Sequence, residues 1–251
     1  MIRPKNESVA IDQEKTRDWH FLQDRRVSWR RSAPARFVNF RYPIFLDLTG
    51  KKCLVTGEGY EVAGKVRALV DAQADVCYVN PNAERSIREL IDQGLVHWKS
   101  RAFQPHDLDG CFLIIADTDD NAAIFRIAEE RRVICNSVDD PAHCRFSFGS
   151  LHRQGDLTVA ISTNGQAPAL AVRLRQKLQR EIGPEYAALL AMLKVFRPVI
   201  TRSIPDFDAR RTLWYRIIDS DVLEQIRTGR MEAAGETICH MIDEAASSFG
   251  K

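Results

Sequence analysis

Residues 52–70 of this 251-residue chain, KCLVTGEGYEVAGKVRALV, decide the fold. The stretch begins with an apolar run, Lys52–Thr56, turns at Gly57 and Gly59, and continues with valine and leucine at helical spacing. A buried strand, a tight glycine turn and an amphipathic helix form the first unit of an α/β sheet. The first glycine permits the turn, and the second lets a pyrophosphate approach the backbone at the helix N-terminus. The stretch therefore predicts a dinucleotide site, although such a turn can also be purely structural.

Strands and helices alternate around this stretch, from about Tyr42 to Ser150. The predicted strands are Lys52–Thr56, Asp75–Asn80, Val96–Lys99, Cys111–Ala116 and Val133–Val138, and the predicted helices are Glu61–Ala72, Ala83–Gln93 and Asp119–Arg131. Near-continuous apolar strands separated by amphipathic helices indicate a parallel sheet that is covered on both faces. The predicted fold class is therefore α/β, with a Rossmann-like domain over residues 43–150.

The pattern changes after residue 150. Two strands, Phe146–Leu151 and Asp156–Ser162, are predicted on either side of a polar turn at residues 153–155, and a strongly basic helix follows at Pro168–Glu181. Further helices are predicted at Pro184–Arg197, which Pro198 should end or kink, at Phe207–Ile218 and at Arg230–Ser247. The predicted organisation is a small strand-pair region over 151–180 and a helical C-terminal domain over 181–251.

The composition argues against several classes of protein. A hydrophobic content of 45%, a charged content of 28% and a net charge of +2 are ordinary, and they predict no membrane or nucleic-acid partner. The apolar run Tyr186–Leu193 is too short to cross a bilayer, and the N-terminus lacks an apolar signal segment. Four of the six cysteines lie in predicted strands, where free cysteine acts as a small hydrophobe, so we expect a reducing, cytoplasmic location. These cysteines are Cys53, Cys77, Cys111 and Cys135.

Residues 1–42 form a basic N-terminal extension that differs from the rest. They contain Trp19, Trp29 and the run Arg25–Arg31, but show no sustained periodicity. The run is compatible with a nucleic-acid arm, a targeting peptide or a clamp on a partner subunit. The plainer interpretation is a loosely packed or partly disordered extension.

Two side chains qualify the predicted dinucleotide site. Glu58 places a carboxylate inside the turn, close to where phosphates bind, which is unfavourable unless it points into solvent. Asn80, rather than an acid, ends the second strand, and an amide binds a ribose hydroxyl more weakly than a carboxylate does. Because no arginine follows that strand directly, the sequence favours NAD over NADP.

Asp139 follows the fifth predicted strand, in the sequence Asn136-Ser137-Val138-Asp139-Asp140-Pro141. Ligands of such sheets bind beyond the carboxyl ends of the strands, so Asp139 would face the cleft. A carboxylate there could remove a proton while hydride leaves to a nicotinamide, and could steer a metal cation. The alternative is that Asp139 or Asp140 caps the turn before Pro141.

Taken in order, these stretches resemble the siroheme synthase N-terminal family, which comprises precorrin-2 dehydrogenase, often combined with sirohydrochlorin ferrochelatase. The resemblance covers roughly Tyr42 to the C-terminus. Besides the glycine turn, the stretches that carry it are Tyr42–Leu48, Thr118–Asp120, Asn136–Asp139, Leu157–Gly165 and Ala167–Leu170.

The resemblance implies NAD-dependent oxidation of precorrin-2 to sirohydrochlorin and, in bifunctional members, insertion of Fe²⁺ to give siroheme. It implies a homodimer, with residues 151–180 as the dimerisation region. Asp139 corresponds to the family's essential aspartate, which would act as catalytic base and guide the metal transiently, so no resident metal site is predicted. The implied cofactor contacts are Gly57, Gly59, Tyr60, Glu61, Val62, Asn80, Thr118 and Asp119.

Precorrin-2 carries many carboxylates, so a pocket for it must supply cations. The candidates are His143, Arg145, His152, Arg153, Arg173 and Arg175, each of which could instead belong to a solvated face or have a structural role. Together with the resemblance, they give a predicted set of substrate contacts: Asn136, His143, Ser162, Thr163, Asn164, Gly165 and Arg173.

The chain departs from the family pattern at three places. Glu58, Gly64 and Asp117 stand where a glycine, an arginine and an alanine are usual. These departures leave two other hypotheses open. One is a chelatase whose dinucleotide site has decayed, and the other is a non-catalytic tetrapyrrole- or nucleotide-binding protein whose basic arm contacts a partner.

Overall fold

The structure, a computed structural model, describes residues 41–247. The basic run Arg25–Arg31 lies outside the described residues, so its interpretation stays a prediction. Within residues 41–247, no helix has the length and apolar content needed to span a membrane.

Five parallel strands form the sheet of the first domain, in the order β3-β2-β1-β4-β5. The strands are β1 Lys52–Gly57, β2 Asp75–Val79, β3 Val96–Lys99, β4 Leu113–Asp117 and β5 Ile134–Ser137. From β1 the chain winds outwards to β3 on one side and returns to add β4 and β5 on the other. The predicted Rossmann-like α/β fold is confirmed.

Helices cover both faces of this sheet. They are α1 Tyr60–Asp71, α2 Arg85–Asp92 and α3 Asn121–Glu130. Alternate residues of β1 point to opposite faces: Cys53 and Val55 pack with the buried side chains of α1 and α2, whereas Leu54 packs with those of α3. The alternation explains why the strands are apolar throughout, since neither face meets water.

The predicted strand pair forms, but its first strand lies later in the chain than expected. β6 is Ser150–Gln154 and β7 is Leu157–Ile161, and the two pair antiparallel. The prediction of a strand at Phe146–Leu151 is wrong for residues 146–149. Phe146 instead packs against the core of the first domain, with its ring centroid 5.3 Å from that of Phe148. Its apolar character therefore reflects domain packing and not strand pairing.

Five helices follow: α4 Pro168–Glu181, α5 Glu185–Ser203, α6 Phe207–Ile218, α7 Val222–Arg227 and α8 Met231–Ser247. The last four share a separate apolar core. Of the two alternatives at Pro198, an end of the helix is wrong, because α5 continues to Ser203, and a kink stays a prediction. Leu193 and Ile200, on either side of the proline, are both buried in this core, and their packing offsets the hydrogen bond that proline cannot donate. The six-residue α7 is too short for a periodicity argument and was missed.

Candidate active site

The carboxyl ends of four strands bring the candidate residues to one edge of the sheet. β1 ends at Gly57, β2 is followed by Asn80, β4 ends at Asp117, and β5 is followed after one residue by Asp139. The strand order reverses between β1 and β4, and open α/β sheets bind ligands at such a point. The fold therefore places Asp139 and the glycine turn at the same edge of the sheet, where such sheets bind ligands.

The glycine turn has the backbone that close approach of a dinucleotide requires. Gly57 and Gly59 have φ of 120° and 98°, which disfavours any residue with a side chain. A Cβ on Gly57 would lie 2.3 Å from the Asp117 carbonyl oxygen, so this glycine lets β1 pack against β4. Among residues 41–247, a Cβ on Gly59 would meet nothing within 4 Å, and no side chain caps the α1 N-terminus there. The open space beside free helix amides fits a pyrophosphate.

The other predicted cofactor contacts lie in two places, at the start of α1 and in the turn after β4. Tyr60 and Glu61 are exposed at the start of α1, whereas Val62 is fully buried and holds that helix against the sheet. Thr118 and Asp119 lie in the turn after β4. The buried Asn121 shapes this turn, because its Oδ1 accepts a hydrogen bond from the Thr118 backbone N–H over 3.0 Å.

The Glu58 side chain has a hydrogen-bond partner and does not stand alone beside the expected phosphate position. This side chain is exposed, and its Oε1 accepts a hydrogen bond of 3.0 Å from Asn80 Nδ2. The two side chains that qualify the predicted dinucleotide site, Glu58 and Asn80, are thus in contact at the end of β2.

Asp139 is exposed at the carboxyl edge and adopts a left-handed backbone with φ of 55°. Aspartate tolerates this conformation better than most residues. Its charge contributes to raising the pKa of Asp117, after burial of Asp117 itself and before Glu61. Asp117 and Asp139 therefore lie within electrostatic reach of each other.

Lys65 of α1 is a functional candidate that was not predicted from the sequence. Burial lowers the pKa of Lys65, while the charges of Glu61 and Asp139 oppose that shift. Its Nζ lies 3.8 Å from the centroid of the Phe148 ring. A half-buried cation is thereby placed within reach of Asp139. The signal was its position four residues after Glu61, which puts both on one side of α1.

The Cys144 thiol forms hydrogen bonds across the loop of residues 137–144, which carries Asp139. Its sulfur accepts a hydrogen bond from the Ser137 N–H over 3.2 Å and lies 3.1 Å and 3.2 Å from the carbonyl oxygens of Ser137 and Asp140. Burial raises the pKa of Cys144, so the thiol keeps the proton that it donates. The loop on both sides of Asp139 is thus tied to one side chain.

We expect Cys144→Ala to lower the kcat of any reaction that uses the Asp139 carboxylate about 10-fold, because the loop no longer holds that carboxylate in place. Cys144→Ser should recover most of the loss, because a hydroxyl keeps both a donor and an acceptor. Steady-state kinetics check this, with Cys239→Ala on the exposed face of α8 as control. Equal kcat in the alanine variant and the wild type would contradict the positioning role.

Asn136 differs from the expectation of a substrate contact. It is 6% exposed, and its amide donates to the Phe146 carbonyl oxygen over 2.8 Å and to Cys144 Sγ over 3.4 Å. Both hydrogens of the Asn136 amide are donated at or just after the end of the loop, so Asn136 stabilises the loop.

Three of the predicted cations have different partners within the described residues. His143 Nδ1 lies 2.6 Å from Asp140 Oδ2, and Asp140 precedes the short 3-10 turn Pro141–His143 without capping it through its side chain. Arg145 forms an ion pair with Glu129, and the buried His152 contacts the Ile182 carbonyl oxygen over 2.8 Å. Arg145 and His152 therefore have structural partners, whereas His143 remains half-exposed near Asp139.

Ser162, Thr163, Asn164 and Gly165 form the turn between β7 and α4. Asn164 and Gly165 have positive φ of 52° and 77°, and Thr163 Oγ1 accepts a hydrogen bond from the Ala167 N–H over 3.3 Å. Arg173 is exposed on α4 and contacts Gln176 of the same helix. Substrate contacts by these residues stay predictions.

Three family models match the chain in succession. A model of NAD(P)-binding domains matches residues 44–150, the sirohaem biosynthesis protein central model matches 154–181, and the sirohaem synthase dimerisation region matches 185–242. Over these successive regions the chain is similar to the siroheme synthase family. The third model gives the name dimerisation region to helices α5–α8, whereas the dimerisation region predicted from the resemblance is 151–180, so those boundaries stay predictions.

Curated relatives agree with this family. The chain is 34% identical over 212 residues to siroheme synthase 1 of Aeromonas hydrophila subsp. hydrophila, covering 83% of this chain and 46% of the relative. It is 36% identical over 191 residues to siroheme synthase of Pseudomonas aeruginosa, covering 75% of this chain and 41% of the relative. The chain thus spans less than half the length of these relatives of the siroheme synthase family.

A solved structure of SirC, precorrin-2 dehydrogenase, shares the fold. It superposes with a TM-score of 0.66 over 81% of this chain and 100% of that chain, at 23% sequence identity. The similarity extends over the sheet domain and beyond it, since the sheet domain alone is less than half of the chain.

Proposed function

We propose that this chain oxidises precorrin-2 to sirohydrochlorin with NAD as the hydride acceptor. The observation that carries the proposal is the exposed Asp139 at the same sheet edge as the open glycine turn. The relatives named siroheme synthase support the substrate class, and the SirC fold is compatible with it.

Each part of the site has a role in this reaction. The amides at the start of α1 hold the pyrophosphate, while Thr118 and Asp119 border the nicotinamide half of the site. NAD, when bound, would accept one hydrogen together with two electrons, that is, a hydride. Asp139 takes the proton that leaves the tetrapyrrole and passes it to solvent, which its exposure permits. Two hydrogens leave the substrate, one as hydride and one as proton.

The substrate's carboxylates need cations, and we propose that Lys65 and His143 supply two of them beside Asp139. Lys65 acts on Asp139 electrostatically, and His143 is tied to the adjacent Asp140. Arg173 and the turn Ser162–Gly165 would contact the macrocycle from the second region.

The direct test mixes the purified chain with enzymatically made precorrin-2 and NAD. Sirohydrochlorin absorbance and NADH should rise together, in equal amounts. Tight binding of sirohydrochlorin without any NADH would contradict dehydrogenation and favour the non-catalytic alternative.

Iron insertion is a second candidate activity, supported by the negative charge of Asp117, Asp139 and Glu61 at this edge. Fe²⁺ would be a substrate here and not a resident cofactor. Sirohydrochlorin and Fe²⁺ supplied without NAD should yield siroheme faster than the uncatalysed control. A rate equal to that control would remove chelation from the proposal.

We also propose a homodimer. Four apolar side chains of β6 and α4 are between 40% and 51% exposed: Leu151, Leu170, Val172 and Leu174. A two-stranded sheet alone is marginally stable, and covering this surface with a second copy would stabilise it. Sedimentation should give twice the chain mass of 28.6 kDa. A monomer at micromolar concentration would contradict the proposal.

The six cysteines are unpaired thiols, which supports a reducing compartment, and we propose the cytoplasm.

A further inference from the structure

The glycine turn and the end of β2 come into contact where the adenosine ribose of a dinucleotide would bind. Dinucleotide-binding sheets commonly carry an acid about 20 residues after the glycine turn, where it binds the adenosine ribose. In this chain Asn80 follows β2 instead. Glu58 reaches this position from the turn, since its Oε1 lies 3.0 Å from Asn80 Nδ2. A carboxylate is therefore present beside the end of β2, although no acid directly follows that strand.

Asn80 is fixed as a support for Glu58. It is 7% exposed, and its second amide hydrogen points to the Asn82 carbonyl oxygen, 2.8 Å away. Its own carbonyl oxygen accepts a hydrogen bond of 3.0 Å from Trp98 Nε1. An amide nitrogen has two hydrogens, and both are used here, so Asn80 has no further donor for a ribose hydroxyl.

The turn below Glu58 is also held in place. The hydroxyl of the fully buried Tyr78 lies 2.7 Å from the Gly57 carbonyl oxygen and donates to it. Burial, with a contribution from the charges of Glu58 and Glu84, raises the pKa of Tyr78 to about 12, so this donor keeps its proton at neutral pH. Glu58 itself is exposed, and a carboxylate can accept more hydrogen bonds than the one from Asn80.

We propose that Glu58, oriented by Asn80, binds the hydroxyls of the adenosine ribose and thereby selects NAD over NADP. The inference rests on the proposed nicotinamide-dependent function. Ribose hydroxyls donate charge-assisted hydrogen bonds to a carboxylate. A 2′-phosphate would instead bring negative charge against Glu58, and the two would repel each other.

The test measures the affinity of the full chain for NAD and for NADP by calorimetric titration. The wild type should bind NAD at least about 10-fold more tightly than NADP. Glu58→Gln should bind NADP about 10-fold more tightly than the wild type does, and NAD a few-fold more weakly, because the repulsion and the charge-assisted bond are both lost. Glu84→Gln is the matched control, since Glu84 is exposed in the next loop of the same edge and its charge also acts on Tyr78.

The outcomes separate this inference from the proposed function. If Glu58→Gln binds both nucleotides with the wild-type ratio, or if Glu84→Gln shifts the ratio equally, the role of Glu58 is overturned while the nicotinamide site stands. Equal affinities in the wild type would overturn it as well. If the wild type binds neither nucleotide, the proposed dehydrogenase is itself overturned. An NADP-specific gain in Glu58→Gln alone supports the inference.

Discussion

Asp139→Asn is expected to lower kcat for precorrin-2 oxidation by about 10²- to 10⁴-fold, the usual contribution of a general base. The amide cannot accept the leaving proton, yet asparagine tolerates the left-handed backbone of φ 55° as well as aspartate does. Stability should therefore stay close to the wild type. NADH formation gives kcat, and urea unfolding gives the free energy of unfolding.

Two further variants make this result interpretable. Asp139→Ala should lose the same activity and also about 1 kcal/mol of stability, because alanine is disfavoured in this conformation. Asp71→Asn makes the same chemical change at the exposed C-terminal end of α1 and should leave kcat unchanged. A kcat for Asp139→Asn within a factor of two of the wild type would end the assignment of Asp139 as base.

Asp107→Asn is expected to lower the free energy of unfolding by about 2–3 kcal/mol at neutral pH. The Asp107 side chain is fully buried and contacts Lys99 Nζ at 2.7 Å and both terminal nitrogens of Arg101 at 2.6 Å and 2.7 Å. Breaking a buried ion pair typically costs about 3–5 kcal/mol. We expect less here because Lys99 and Arg101 are 39% and 33% exposed and can turn to water.

The effect of Asp107→Asn should depend on pH in a defined direction. Burial alone would raise the pKa of Asp107, but hydrogen bonds from Arg101, Lys99 and the Gln104 N–H together hold it well below its usual range. A depressed pKa stabilises the fold above the unfolded-state pKa, about 3.9, and this contribution is lost as the pH falls towards the folded-state pKa. The difference between wild type and variant should thus be full at pH 7 and shrink below about pH 4.

The control for Asp107 is Asp109→Asn. Asp109 forms an ion pair with Arg131 over 2.7 Å, but its side chain is 69% exposed. Exposed pairs contribute about 0–1 kcal/mol, so little should change. A loss in Asp109→Asn as large as that in Asp107→Asn would contradict the role given to burial.

The sheet domain could be predicted from the sequence because its strands are buried on both faces and each helix has one apolar face. Local patterns failed where tertiary packing decided the outcome. Phe146 is apolar because it joins the core of the first domain, and Pro198 stays inside α5 because neighbouring residues are buried. Neither cause leaves a periodic signal.

Part of the candidate site could likewise be predicted from the sequence, and part could not. Strand ends placed Asp139 and the glycine turn correctly at one edge, because parallel strands all point their carboxyl ends the same way. The Glu58–Asn80 contact joins residues 22 positions apart, and the Lys65–Phe148 contact joins α1 to the segment before β6. Pairs so distant in sequence form only in the folded chain, and one sequence does not reveal them.

The two glycines of the turn set different limits on engineering this site. Position 57 has no room for even one methyl group, because it would collide with the backbone of the neighbouring strand. Position 59 has ample room and is restricted only by its backbone angle of 98°. A mutant library aimed at new cofactor use should therefore leave codons 57 and 59 unrandomised, since the Gly59 backbone of φ 98° and ψ 167° is essentially restricted to glycine, and concentrate its diversity on codon 58.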